Sequence, residues 1–179
     1  GVVQGLLDYD VPTVDQFVPA NVSNIGPGIL IGPDQETVLY SSAETHFNLA
    51  EAAHKGYVTG TPKTYYEGGI SASFDYLDVS GAATYYAQNI ANVGWDASSD
   101  KLEAIMVQKA TALIGINAIQ SWFDYNRTGF PDDVPLSLTG NTKPNIPTRL
   151  AYPSSEVTSN TVNLPSQPDV FTTKIFWAN

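Results

Sequence analysis

The stretch DKLEAIMVQKATALIGINAIQSWFDYNRTGFP, Asp100–Pro131, decides the fold of this chain. Asp100 is suited to accept hydrogen bonds from the first turn of a helix, and Glu103 follows at the spacing of a capping box. Apolar residues then recur at helical spacing as far as Phe123 and cover most of the helix circumference. The stretch therefore predicts one long buried helix from Asp100 to Phe123, stopped by the turn around Gly129.

Two further helices are predicted upstream, and a short glycine-containing turn joins them. The first spans residues 41–56, where Gly56 suits the C-terminal cap, and the second spans residues 61–77. Gly68 and Gly69 each cost about 1 kcal/mol inside a helix relative to alanine, which indicates unusually close packing at this point. The pair predicts an antiparallel hairpin of the tetratricopeptide type.

Proline distribution predicts the organisation of the whole chain. Eleven of the twelve prolines lie outside residues 34–130. We expect a mainly α fold in three parts: an extended lead-in over residues 1–40, a helical core over residues 41–123, and a Pro-rich, loop-rich segment over residues 124–179 that wraps over the helices. A shorter helix is predicted within residues 80–92.

The composition excludes several classes of function. A net charge of −10, with the eight basic residues scattered, argues against nucleic-acid partners and anionic membrane surfaces. The chain has no cysteine, so thiolate chemistry is absent. No apolar run approaches the length of about 18 residues that a membrane-spanning helix needs. Residues 1–20 do not read as a signal peptide, and the chain is interpreted as part of a longer protein.

Metal-binding and catalytic patterns are weak. A glutamate stands three residues before His54, but a di-iron bundle needs a second such motif and the chain has only two histidines. Asp8 with Asp10, and Asp132 with Asp133, lack the spaced oxygen ligands of a calcium loop. Neither a nucleophile elbow nor a phosphate-binding loop is present. We predict no metal site, no cofactor and no catalytic residue.

The aromatic residues carry the strongest indication of a binding site. Trp95 lies in a loop between Asn92 and Asp96, and Tyr85 and Tyr86 precede it closely. An aromatic ring can stack on the apolar face of a sugar while neighbouring polar groups bind its hydroxyls, and loops on a rigid scaffold are where binding residues concentrate. Trp95, Tyr85 and Tyr86 are therefore the predicted ligand contacts. The competing interpretation is that Trp95 anchors its loop to the core.

Four segments, in order, resemble the C-terminal region of the SusD/RagB family of surface nutrient-binding lipoproteins of Bacteroidetes-type bacteria. They are YSSAETHFNLAEAAHKG, YYEGGISASFDYL, EAIMVQKATALIGINAIQSWFDYNRTGFP, and IPTRLAYPSSEVTSN with a terminal TTKIFWAN. Together they cover Tyr40 to Asn179, and they resemble the last part of a much longer protein. The chain has Asn126-Arg127 where family members often carry two arginines.

The resemblance implies a tetratricopeptide-like scaffold that binds oligosaccharide or polysaccharide without catalysis. It also implies delivery of the oligosaccharide to a SusC-like TonB-dependent outer-membrane porin. The expected location is the outer-membrane surface, with membrane association only through a lipid anchor outside this chain. Two alternatives stay open, a tetratricopeptide-type scaffold for protein partners and an accessory domain of a carbohydrate-active enzyme. The family's sugar contacts are not bound to motifs, so none transfers to this sequence.

Overall fold

A computed structural model describes residues 25–134 and 146–178 of the chain. The described residues contain no β-strand, which agrees with the predicted mainly α class. They divide into two compact units, residues 25–125 with 129–132 (the helical unit) and residues 126–128, 133–134 and 146–178 (the terminal unit). The helices are α1 (Ser42–His54), α2 (Pro62–Tyr76), α3 (Ala82–Tyr86), α4 (Lys101–Leu113), α5 (Ala118–Thr128) and α6 (Ser154–Ser159).

The predicted hairpin is confirmed by α1 and α2, which pack side by side. The Ser41 hydroxyl caps α1 by accepting the Glu44 amide at 3.0 Å. A Cβ atom added at Gly69 would lie 2.8 Å from the Phe47 ring, so glycine is what lets α2 approach α1 this closely. Gly56 follows the end of α1 with a φ of +75°, a conformation that glycine adopts without strain.

The prediction of a single helix over residues 100–123 is wrong, because the helix breaks after Leu113. Asp100 caps α4 as predicted, accepting the amides of the first turn at 2.8 and 3.1 Å. Ile114 then adopts an extended ψ of 124°. Gly115 follows with a φ of +75°, which takes the chain out of the helical path until α5 begins at Ala118. The apolar spacing continues across the break, so periodicity alone does not reveal it.

Two further boundaries differ from the sequence prediction. The helix expected within residues 80–92 is only the five residues of α3. Residues 124–179, expected to contain no helix, include the end of α5 and the short helix α6. The wrapping of this segment over the helices stays a prediction, as does the division into three parts. Residues 1–24 of the expected lead-in lie outside the described residues.

The hydrophobic core lies where α1, α2 and α4 meet. Its largest fully buried side chains include Phe47 from α1, Tyr66 from α2, and Ile105 and Met106 from α4. Phe47 and Tyr66 meet edge to face, with ring centroids 6.1 Å apart. Burying a large apolar side chain stabilises a fold by about 1.5–3 kcal/mol, so this cluster fixes the three helices against one another.

A buried charge cluster ties α1, α4 and α5 together beside this core. The Lys109 ammonium of α4, only 4% exposed, lies 2.6 Å from an Asp124 carboxylate oxygen on α5 and donates to the Asn48 side-chain carbonyl at 2.8 Å. Glu44 of α1 is also buried. Burial raises the pKa of Glu44, the Lys109 charge opposes that rise, and the Asp124 charge adds to it.

Outside α6, the described part of the terminal unit is held by side-chain and backbone hydrogen bonds. The Thr148 amide donates to the Val170 carbonyl at 2.8 Å, and the Tyr152 amide donates to the Gln167 side-chain oxygen at 3.0 Å. The Arg149 guanidinium lies 5.5 Å from the centre of the Tyr152 ring. In the part of the chain that the structure describes, no helix has the length and apolar character needed to cross a membrane.

Candidate functional site

The loop of residues 87–100, between α3 and α4, is tied to α4 through Asn92. Asn92 adopts a left-handed conformation with a φ of +63°, its amide donates to Ser98 Oγ at 2.9 Å, and its side chain donates to Glu103 Oε1 at 2.7 Å. The Asn92 carbonyl in turn accepts Gln108 Nε2 at 2.6 Å. Glu103 therefore uses its carboxylate to hold this loop, an arrangement that the capping-box reading did not predict.

Gly94 makes the next part of the loop tight. It is buried, and its carbonyl accepts the Ser98 hydroxyl at 2.8 Å. A Cβ atom added at this position would collide with the Gln88 carbonyl oxygen. Because the backbone passes so close to itself here, the loop presents the next residue, Trp95, from a fixed base.

Trp95 is held from two sides. Its ring centroid lies 5.3 Å from that of the buried Tyr66, and the Lys101 ammonium lies 5.3 Å from the indole centroid. The same ammonium donates to the Trp95 and Ser98 carbonyls at 2.5 Å each. The competing interpretation of Trp95 as a loop anchor therefore describes part of its role.

Trp95 also lines a pocket of about 310 Å³ on the surface of the helical unit. The pocket lies between the N-terminal half of α2, the end of α3 and the loop of residues 87–100. It brings together the predicted contacts Trp95 and Tyr86. Its lining residues are Lys63, Glu67, Tyr86, Ala87, Gln88, Asn89, Gly94, Trp95, Asp96 and Ala97.

Tyr85, the third predicted contact, has internal partners instead. Its ring lies 5.5 Å from that of Phe74, and its hydroxyl accepts Gln108 Nε2 at 3.1 Å. It is not among the residues that line the pocket. Since Tyr85 and Tyr86 are adjacent on a helix, one can pack inward while its neighbour reaches the pocket.

The charged groups of the pocket are linked to one another. Lys63 Nζ donates to Asp96 Oδ2 at 2.5 Å and lies 3.9 Å from Glu67 Oε1. The hydrogen bond from Lys63 lowers the pKa of Asp96 and, reciprocally, raises the pKa of Lys63. Asp96 is thus held as a carboxylate, and its side chain is 80% exposed, so it can accept further hydrogen bonds from a ligand.

Sequence reasoning missed Lys63, Glu67, Gln88 and Asn89 as pocket residues. Lys63 and Asp96 are 33 positions apart, so only the packing of the loop on α2 reveals that they meet. The spacing of Lys63 and Glu67 is that of a helix surface pair, a common arrangement that carries no information about a site.

The described residues contain no group of three or more metal-ligating side chains. His46, one of the two histidines of the chain, bonds within its own helix, with Nδ1 2.8 Å from the Ser42 carbonyl oxygen. The Asp8 and Asp10 pair lies outside the described residues.

A second, larger pocket of about 530 Å³ has a different character. It is lined by backbone and aliphatic side chains of residues 26–29 and 77–79, with Asp78 as the one charged lining residue described. Its described lining residues include no aromatic side chain on which a sugar ring could stack. Of these two pockets, the one at Trp95 fits the predicted ligand better.

The comparisons with known proteins agree with the resemblance seen in the sequence. The SusD-like family, described as "Starch-binding associating with outer membrane", matches residues 3–153 of this chain. No curated protein matches the chain.

Solved structures of SusD homologues share the fold. One from Bacteroides thetaiotaomicron is 23% identical, with a TM-score of 0.64 over 79% of this chain and 38% of its own. A chitin-binding SusD homologue from Flavobacterium johnsoniae is 28% identical, with a TM-score of 0.65 over 78% and 36%. One from Bacteroides fragilis is 31% identical, with a TM-score of 0.57 over 71% and 30%.

This chain therefore spans about a third of the length of these relatives, since 30–38% of each is covered. The predicted family and the tetratricopeptide-like, mainly α class are both confirmed. With a match across most of its length and a shared fold, the chain belongs to the SusD-like family.

Proposed function

We propose that this chain takes part in non-catalytic glycan binding at the bacterial outer-membrane surface, and that the pocket at Trp95 contacts the sugar. The observation that carries the proposal is the meeting of Trp95 and Tyr86 beside Asp96 in one pocket. The family's description as starch-binding and the chitin-binding relative from Flavobacterium support a sugar ligand.

The shape and chemistry of the pocket suit a carbohydrate. Ligand pockets usually range over about 300–1,000 Å³, so a volume of about 310 Å³ fits a short part of a glycan chain. The rings of Trp95 and Tyr86 supply apolar surface, and Gln88, Asn89 and Asp96 supply hydrogen-bonding groups for hydroxyls. Tyr85 is proposed to contribute indirectly, by supporting the helix that carries Tyr86.

The environment of Asp96 does not suit the proton donor of a glycosidase. A glycosidase needs a carboxylic acid whose pKa is raised so that it can protonate the leaving group. Asp96 has the opposite environment, because the Lys63 ammonium lowers its pKa and holds it ionised. This arrangement supports a role for Asp96 as a hydrogen-bond acceptor.

The proposal extends to nutrient uptake. The bound oligosaccharide would pass to a SusC-like TonB-dependent porin, with the protein kept at the membrane by a lipid anchor outside this chain. The family's association with the outer membrane supports this location.

Calorimetric titration of the full-length protein with a panel of oligosaccharides tests the proposal. We expect binding of one glycan class and a loss of affinity of at least tenfold, about 1.4 kcal/mol, in Trp95→Ala. Tyr57→Ala, which removes a 78% exposed aromatic outside the pocket, is the control and should bind like wild type. Circular dichroism checks that each variant is folded.

The alternatives give different results in the same experiment. Hydrolysis of the titrated sugar would favour an accessory domain of a carbohydrate-active enzyme. Absence of binding to every sugar, together with capture of a protein partner, would contradict the proposal and favour the tetratricopeptide-type scaffold.

A further inference from the structure

We infer that the Trp95 pocket selects uncharged glycans and excludes carboxylated or sulfated ones, and that Asp96 and Glu67 set this preference. The inference rests on the proposed function, because it names the class of sugar that the same pocket would take.

The first observation is that Lys63, the one cation among the described residues that line the pocket, is already paired. Lys63 Nζ lies 2.5 Å from Asp96 and 3.9 Å from Glu67. Two carboxylates against one ammonium leave the described lining with a net charge of −1. An anionic ligand that reached Lys63 would lie beside the Asp96 and Glu67 carboxylates, whose negative charges would repel it.

The second observation concerns Lys101, the next cation along the loop. Its ammonium donates to the carbonyls of Trp95 and Ser98 at 2.5 Å each and lies over the indole ring. These contacts position Trp95, and Lys101 is not among the residues that line the pocket. Its charge does reach Asp96, where it adds to the Lys63 hydrogen bond in lowering the pKa of that carboxyl group. Neither arginine of the chain lines the pocket, although arginine is the residue best suited to bidentate binding of carboxylate or sulfate.

Uncharged sugars are attracted by the same carboxylates that would repel an anionic ligand. Their hydroxyl groups donate hydrogen bonds, and hydrogen bonds to an ionised acceptor are roughly twice as strong as neutral ones. The Asp96 side chain is 80% exposed and the Glu67 side chain 28% exposed, so both carboxylates have oxygen surface accessible to a ligand. A neutral hydroxyl-rich ligand therefore satisfies the carboxylates that an acidic one would repel.

The test compares two ligands that differ at C6, where the hydroxymethyl group of one is a carboxylate in the other. The neutral oligosaccharide that binds the full-length protein is titrated beside its derivative oxidised to the carboxylate at C6, at low and high salt. We expect the oxidised sugar to bind at least about fivefold more weakly at low salt, because a like charge within a few ångströms costs about that much even in water. The difference in affinity between the two sugars should become smaller at high salt, because salt screens the charges.

Two neutralising variants assign the effect to the pocket. Asp96→Asn and Glu67→Gln should each reduce the difference in affinity between the neutral and the oxidised sugar. Asp75→Asn removes the same charge from an exposed position on α2 that does not line the pocket. It should leave the difference in affinity between the two sugars unchanged.

Quenching of tryptophan fluorescence gives a second readout that needs no sugar. The Trp95 signal, taken as the difference between wild type and Trp95→Phe, should be quenched less by iodide than by neutral acrylamide. Asp96→Asn should raise the ratio of iodide to acrylamide quenching, and Asp75→Asn should not.

The outcomes separate the two proposals. Equal or tighter binding of the oxidised sugar, or a quenching ratio that Asp96→Asn leaves unchanged, overturns the inference while glycan binding stands. Failure of both neutral and oxidised sugars to bind contradicts the proposed function, and the inference falls with it.

Discussion

Lys109 places a positive charge in the interior of the helical unit, where it faces Asp124 at 2.6 Å and Asn48 at 2.8 Å. We expect Lys109→Met to lower the free energy of unfolding by about 3–5 kcal/mol, because the buried carboxylates of Asp124 and Glu44 would lose their counter-ion. Denaturant titration monitored by circular dichroism measures this change.

The matched control is Lys55→Met, which removes the same type of side chain from a pair with Glu51 four residues away. The Lys55 side chain is 33% exposed although Glu51 is largely buried, so we expect a smaller loss than in Lys109→Met, of about 1 kcal/mol or less. If the two variants lost equal stability, the buried cluster would not have the structural role assigned to it.

Glu44 predicts a specific dependence of stability on pH. One of its carboxylate oxygens is buried and has no hydrogen-bond partner among the described residues, and burial raises its pKa above the ordinary value of 4.5. The folded state therefore favours the protonated form. The stability that this form contributes is fully present below pH 4.5 and is lost as the pH rises through the raised pKa.

Glu44→Gln removes this titration while keeping the shape of the side chain. We expect the variant to be more stable than wild type at neutral pH and to lose less stability as pH rises from acidic to neutral values. Denaturant titrations across that range compare the slopes. Parallel curves for the two proteins would mean that Glu44 does not titrate differently on folding.

At the scale of elements, the break between α4 and α5 depends on Gly115. Its φ of +75° strains any residue with a Cβ atom, and a Cβ there would lie 2.9 Å from Ile29 Cγ2. We expect Gly115→Ala to cost about 1–2 kcal/mol for the backbone conformation alone, and more for the contact with Ile29. Thermal or denaturant unfolding measures the loss.

Gly129→Ala is the control that separates these two contributions. Gly129 has a φ of +82° but nothing within 4 Å of an added Cβ atom. Gly129→Ala should therefore lose only the stability that the backbone conformation costs, with no contribution from a side-chain contact. A smaller loss at Gly115 than at Gly129 would contradict the close contact of Ile29 with this turn.

The sequence predicted the helix ends correctly where they depend on capping interactions within one turn. Asp100 and Gly56 act over one turn of helix, and each has the capping role that the sequence predicted. The helix predicted to begin at residue 41 is capped there by the Ser41 hydroxyl. The break at Gly115 was not predicted, because the isoleucines on both sides of it continue the helical period. There, the backbone conformation of one glycine overrides an apolar pattern that would suit an unbroken helix.

The candidate site was predictable in part for the same reason. Trp95 stood out as an aromatic residue in a polar loop, and the structure places it both against Tyr66 and in a pocket. Lys63 and Glu67 could not be assigned, since they reach the pocket only through the folding of a loop some 30 residues away onto α2. Neighbouring Tyr85 and Tyr86 could not be told apart until α3 was oriented by Phe74 and Gln108.

At the scale of the whole molecule, the chain covers about a third of each solved SusD homologue that it resembles. Its net charge of −10 would repel acidic polymers. The preference for uncharged glycans that we infer for the Trp95 pocket, with two carboxylates around one lysine, has the same sign.

The most direct test of the central proposal is a crystal structure of the full-length protein with the oligosaccharide selected by calorimetry. We predict a sugar ring stacked on Trp95 or Tyr86, with at least one hydroxyl donating to Asp96. A well-ordered sugar bound elsewhere, with the Trp95 pocket empty, would contradict the assignment of this pocket as the glycan site.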